Sequence, residues 1–279
     1  MPSFRTRPPS GKGRAVAPRP PPTRNKDKPD PCEVKRNEGA ESTQMTPNEL
    51  KEKQCIIDSK VNAIAEKAFP NLAEEDRYPI RDGIADEAAY LLSPLKVAWV
   101  LKEPYDYFDE NNKPCGGGWS LVKEAFYKDD AWKNPVWQRI AYVMHGFHKG
   151  LRWDQMDWIS NDHSIIDEIK SVAFINVSKM PGYTVSNDQA ILAAYDIWKD
   201  IIKLQLETYN PDVIIFGKTF HCFRDSYGNP EPQVLNDNVW YYNVAGKHLL
   251  DAYHPGRKGG EYVNALIDAL TAIRDGKLH

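Results

Sequence analysis

Four short apolar runs constrain this chain more than any other feature: LKVAWVL at 95–101, SVAFINV at 171–177, DVIIFG at 212–217 and HLLDAY at 248–253. Each is too short for a buried helix and lacks the alternation of a half-exposed strand, so each reads as a strand covered on both faces. Helical spacing of apolar residues fills the intervals, over 134–149, 187–209 and 260–276. Two further helices are expected earlier, at 46–69 and 80–92. The first has Thr46 as N-cap, Pro47 at its first position and Glu49 placed to close a capping box. Strands alternating with helices predict an α/β fold, a three-layer α/β/α sandwich around a mainly parallel four-stranded sheet.

That domain is expected over 46–279, behind a basic, proline-rich tail at 1–45. Residues 1–36 hold ten Lys or Arg against three Asp or Glu, so the remainder carries a formal −10 within a total of −3. A segment so poor in apolar surface is expected to stay disordered, either as a solubilising tail or cloning remnant or as an arm that attracts polyanions. No apolar run approaches the ~20 residues of a membrane span, and the first residues lack the apolar core of a secretory signal. The expectation is an intracellular protein, monomeric and without membrane contact. Cys32, Cys55, Cys115 and Cys222 are scattered, with no metal-ligand spacing, and read as free thiols in a reducing compartment. His145 and His148 lie three apart with no carboxylate nearby in sequence, and read as packing or surface histidines.

In an open parallel sheet, ligands collect beyond the carboxyl ends of the strands. The four runs end in KEPYDY, SKMPGY, KTFH and HPGRKGG, all polar, proline-bearing or glycine-bearing. Three residues there stand out. Glu103 follows the first strand, either as a cap for the next element or as a reactive carboxylate. Asn176 sits inside the second run, where a buried amide costs about 1–3 kcal/mol without partners; these are either backbone groups or the edge of a ligand. His254 is pushed toward an extended conformation by Pro255, and Arg257 and Lys258 follow on a glycine-flanked loop suited to phosphate oxygens. An acid, an amide and an imidazole over a basic loop suit cleavage of a bond to a base in a phosphate-bearing substrate.

In this order the motifs resemble those of the uracil-DNA glycosylase superfamily. Leu101-Lys102-Glu103-Pro104-Tyr105 stands where that family has its water-activating Gly-Gln-Asp-Pro-Tyr motif, FINVSKMPG matches an Asn-Val-Val-Lys pattern, and YHPGRKG matches the late His-Pro-Ser loop. GGGWSLVKEAF at 116–126 looks like the family's serine loop that touches DNA phosphate. The resemblance implies a monofunctional DNA glycosylase that flips a nucleotide out of the stack and hydrolyses its glycosidic bond without a metal or redox cofactor. It implies catalytic roles for Glu103 and His254. Lys102, Tyr105 and Asn176 would contact the base, and Ser120, Lys179, Arg257 and Lys258 would contact DNA.

The departures leave the base open. Glu103 is one methylene longer than the family's aspartate, Leu101-Lys102 replaces Gly-Gln, Gly256 replaces the serine, and the apolar wedge residue just beyond is absent. Tyr105 alone implies exclusion of a substituent on the pyrimidine C5, as in the uracil-specific enzymes. The long segment 106–120, with its three glycines, implies a wall that opens around a bulkier base, as in divergent members that remove hypermodified cytosines from phage DNA in antiviral defence. Repair and defence are both consistent with this pattern. An inactive nucleic-acid-binding module and a small-nucleoside hydrolase are the competing readings, the second favoured by the acidic body.

Overall fold

A computed structural model describes residues 45–183, 185–256 and 258–278. The expected tail at 1–44, with Cys32, and the proposed DNA contact Arg257 lie outside the described residues. Among the described residues, five α-helices and nine strands follow in order: α1 (Pro47–Ala68), β1 (Gly83–Ile84), α2 (Glu87–Leu92), β2 (Val97–Leu101), β3 (Tyr107–Phe108), β4 (Pro114–Cys115), α3 (Pro135–Lys149), β5 (Ala173–Asn176), α4 (Asp188–Tyr209), β6 (Val213–Gly217), β7 (Gln233–Asn236), β8 (Val239–Val244), β9 (Lys247–Ala252) and α5 (Gly260–Arg274).

The helix starts follow local chemistry. Thr46 Oγ1 accepts from the Glu49 N–H at 3.3 Å, and the Glu49 carboxylate accepts from the Thr46 N–H at 2.7 Å, closing the expected box. Asn134 and Asn187 cap α3 and α4 through their side-chain oxygens. The helix expected at 80–92 is shorter, starting at Glu87 behind the cap Asp86. Gly83 explains the difference. Its φ of +129° is closed to other residues, and a Cβ there would lie 2.2 Å from Gln54 Oε1, so the chain passes as strand β1 against α1.

The sheet has seven strands, not four, in the order β1-β5-β2-β6-β9-β8-β7. Its parallel centre, β5-β2-β6-β9, is made by the four apolar runs, and β1, β8 and β7 add to it antiparallel. Of the three added strands, β8 carries a sequence signal: VWYYNV (239–244) is rich in strand formers. Its link to β9 is a two-residue turn, Ala245-Gly246, with φ of +50° and +78°, the twist a tight hairpin requires.

Strand alternation distributes side chains to two cores. Val97, Trp99 and Leu101 of β2 pack with Ile140 and Val143 of α3 and Leu266 and Leu270 of α5. Ala98 and Val100 pack on the other face with Ile57 of α1 and Trp198 and Ile202 of α4. Each large side chain buried this way contributes about 1.5–3 kcal/mol, which is why the runs carry no polar alternation. Among the described residues, no helix is long and apolar enough to cross a membrane.

Candidate active site

Register aligns the carboxyl ends of the four parallel strands in one row. Leu101 lies opposite Asn176, and Gly217 opposite Ala252. The chain then leaves the sheet at Lys102-Glu103, Lys218-Thr219 and Tyr253-His254 on the same edge. Gly217 makes the close approach possible, because a Cβ there would stand 2.8 Å from Leu101 Cδ2 and 3.3 Å from Pro255 Cδ. The His254 loop is thereby drawn over the ends of β6 and β2. Thr219 Oγ1 donates to the Val100 carbonyl at 2.8 Å and the Lys218 N–H donates to Ala252 at 2.7 Å, locking the row.

Glu103 is half-buried, and its carboxylate accepts hydrogen bonds from the Ser186 side chain and the Tyr183 backbone. Burial raises its pKa above the ordinary glutamate value, outweighing these bonds and the charges of Lys102 and Arg77. Gly182 lies against it so closely that a Cβ would stand 2.1 Å from Glu103 Cδ. Asn176 is only 4% exposed. Its backbone N–H donates to Asp82 Oδ2 at 2.6 Å, but its side-chain Nδ2 is buried without a hydrogen-bond partner among the described residues. A buried donor left without a partner costs about 1–3 kcal/mol.

His254 completes the set. Its Nδ1 accepts the Gly256 N–H at 3.2 Å, which leaves the ring proton on Nε2. Burial lowers its pKa, and the charges of Lys102, Lys218 and Lys258 act in the same direction, so the ring is a neutral Nε2–H donor at pH 7. The charge of Lys102 bears on both Glu103 and His254, tying the two junctions electrostatically.

Other expected contacts are placed differently. Lys179 is fully buried, with Nζ 2.7 Å from Asp82 Oδ2 and 2.8 Å from Gln205 Oε1; a cation enclosed in this way cannot reach a DNA phosphate, and the DNA-binding assignment is withdrawn. Ser120 is also buried, and its hydroxyl accepts the Lys123 N–H at 3.1 Å, so it caps a turn instead of presenting itself to phosphate. Lys102 is buried and paired with Asp188 at 2.5 Å. Tyr105 is 56% exposed. Lys258 Nζ sits 4.0 Å from the centre of the Tyr253 ring, while Arg139 Nε donates to the Lys258 carbonyl.

The three glycines at 116–118 pack closely against neighbouring backbone. All have φ between +77° and +86°, and hydrogen bonds to Asp76, Tyr78, Pro79 and Asp106 hold them on both sides. A Cβ on Gly117 would stand 1.9 Å from the Tyr78 carbonyl oxygen, so the run serves close backbone approach. His145 and His148 meet a carboxylate distant in sequence: Glu168 lies 3.2 Å from one Nδ1 and 2.7 Å from the other. Among the described residues no group of His, Cys, Asp or Glu is arranged to hold a metal ion. Cys55, Cys115 and Cys222 are free, and burial pushes the Cys222 thiol up to about 11, which keeps it protonated and non-nucleophilic beside His221.

Asp82 was not foreseen. It is 2% exposed and accepts from Lys179, from Gln205 Nε2 at 2.7 Å and from the Asn176 backbone, making it the buried anchor of the asparagine strand. No local pattern marks such a residue, since its partners lie 94 to 123 positions away. Gln54 extends the network, donating from Nε2 to the Asp82 carbonyl at 3.0 Å and to Asp58 Oδ1 at 2.8 Å.

Burial pushes the Asp58 carboxyl up from 3.8 to about 6. A raised carboxyl pKa favours the fold while the group is neutral and is lost as pH rises through about 6. Asp58→Asn is therefore expected to be about 2 kcal/mol more stable than the parent at pH 8 and equal to it near pH 3.5, by urea denaturation at both values. Equal stability at pH 8 would refute the burial of the charge.

Two cavities, of about 820 and 460 Å³, open near the opposite ends of the strands. The first is lined by Thr46, Lys96 and Asn210 and the second by Pro94, His148 and Ser171. Neither includes Glu103, Asn176 or His254. No protein-family model matches the chain, and no curated protein matches it.

Proposed function

We propose that this protein is a DNA glycosylase of the uracil-DNA glycosylase superfamily, hydrolysing the glycosidic bond of a non-canonical pyrimidine turned out of the helix and leaving an abasic site, in repair or antiviral defence. The observation that carries the reading is the unpaired Asn176 Nδ2, buried at the edge where Glu103 and neutral His254 emerge. As a donor, Nδ2 selects a base edge that offers an acceptor, a carbonyl oxygen or an unprotonated ring nitrogen.

Breaking the bond leaves its electron pair on the departing base and positive charge on the sugar. Ionised Glu103 stabilises that cation and orients the water that adds to C1′. His254 Nε2–H donates to the base oxygen on which negative charge develops. Both interactions strengthen toward the transition state, which is what raises the rate. The water's hydroxyl ends on the sugar, and the base takes up a proton.

Incubation with duplexes carrying uracil, hydroxymethylcytosine or its glucosylated form, with free base scored by mass, tests the reading. Release from one of them supports it, and release only of uracil removes the defence role. The pH profile is a second check. Activity requires ionised Glu103, so kcat/KM is expected to fall toward acid pH with a midpoint above 4.5, the ordinary glutamate value. A midpoint below 4.5 would contradict the role of Glu103.

One observation favours a small-nucleoside hydrolase instead. Lys179 is enclosed and Lys102 neutralised by Asp188, which leaves fewer cations for a polymer. Binding to DNA that weakens steeply with salt argues against that alternative.

A further inference from the structure

We infer that Arg139 and Trp158 form a second subsite close to His254, in which Arg139 binds a backbone phosphate and Trp158 stacks the adjoining base. The substrate is then a nucleic-acid strand and not a free nucleoside, an assignment that rests on the glycosylase reading above.

Arg139 lies on α3 and is half-buried, yet among the described residues no carboxylate pairs with it. Its guanidinium stands 5.2 Å from the centre of the Trp153 ring and 6.0 Å from that of Tyr142. Its Nε donates to the Lys258 carbonyl, and the Nη groups have no protein partner among the described residues. In a planar guanidinium those groups form the edge that matches two oxygens of a phosphate. A brace for Lys258 needs one donor and no charge. Burying a cation without an acid beside it is unfavourable, so the charge itself points to an anionic ligand.

Trp158 carries the cluster outward. Its ring meets that of Trp153 with centroids 5.8 Å apart and planes at 90°, and it is 62% exposed. The rings are fixed from behind. The Trp153 backbone N–H donates to Asn264 Oδ1 at 2.9 Å, Tyr142 packs on Trp153 at 4.8 Å, and the Tyr142 hydroxyl accepts the Ile159 N–H at 2.6 Å. An aromatic surface held in this way stacks a base with little ordering cost.

Helix α3 sets the subsite beside the candidate active site. Val136 is three residues before Arg139, on the same helix face and about 4.5 Å along the axis. A Cβ on Gly256 would touch Val136 Cγ2 at 3.6 Å, and the Gly256 N–H is the donor to His254 Nδ1. One turn of α3 therefore separates the arginine from the residue packed at the imidazole.

The test uses the full chain and a fluorescein-labelled duplex carrying a tetrahydrofuran abasic analogue, with affinity read by anisotropy over a range of salt. Trp158→Ala is expected to weaken binding about fivefold or more with the salt slope unchanged. Arg139→Gln, which keeps a donor for the Lys258 carbonyl, is expected to weaken it about tenfold and to lower the slope of log Kd against log salt by about one. Weaker binding with the parent's slope would make Arg139 a brace alone and overturn the phosphate assignment. Parent-like affinity in either variant, or a parent that does not bind the duplex, overturns the subsite. Neutral methylphosphonate linkages placed one at a time along the strand give a second measurement. At one position the change is expected to cost the parent about tenfold and Arg139→Gln nothing; the absence of such a position refutes the contact. Base release separates the two readings. A parent that binds with these dependences and releases no base keeps the subsite and removes the glycosylase, whereas release with both variants at parent affinity does the reverse.

Discussion

Glu103→Gln is expected to cut base release by about a hundred- to a thousandfold while DNA affinity stays within about twofold. The substitution keeps the shape and one acceptor oxygen, so Tyr183 and Ser186 retain a partner. What disappears is the negative charge that the proposed mechanism sets against the sugar cation. Glu103 is half-buried, so solvent screens that charge less than at an open surface, and its loss is correspondingly large. Single-turnover release and fluorescence anisotropy on the same duplex separate the two effects. A variant that releases base at the parent rate would remove Glu103 from the chemistry. A parent that binds DNA yet releases nothing would identify a binding module with this fold.

Lys179→Met is expected to destabilise the protein by about 3–5 kcal/mol, the usual penalty for leaving one member of a buried ion pair alone. Asp82 would keep the Asn176 backbone N–H and Gln205 Nε2, but two hydrogen bonds do not replace a cation at 2.7 Å in a site closed to water. Changing both partners, Asp82→Leu with Lys179→Met, removes the stranded charge and is expected to recover part of the loss. Urea midpoints of the three proteins decide the matter. A single variant within about 1 kcal/mol of the parent would mean that Asp82 is not held as a charge in the fold. The same bond network positions Asn176, so the single variant is expected to lose base release at temperatures where it is still folded.

The elements that sequence reasoning located are those whose signals are local. Thr46, Pro47 and Glu49 start α1 within four residues, and the unbroken apolar runs become the four parallel strands. The strand ends, and with them Glu103, Asn176 and His254 at one edge, follow from the direction of those strands. Lys179 shows where such reading stops. Three positions beyond Asn176 it looks like a phosphate-binding cation, but its direction was decided by Asp82, 97 positions away, and Gln205, 26 positions away.

Glu168 likewise reaches His145 and His148 from 20 or more positions distant. Hydrophobic period assigns a face to each side chain because burial acts on every residue separately. It says nothing about which polar groups meet, since that is set by contacts between elements that only the assembled layers bring together. The sequence alone therefore determined the parallel centre and the edge at which its strands end. The tertiary structure decided which charges at that edge are spent inside the fold, leaving Asn176 Nδ2 without a partner there.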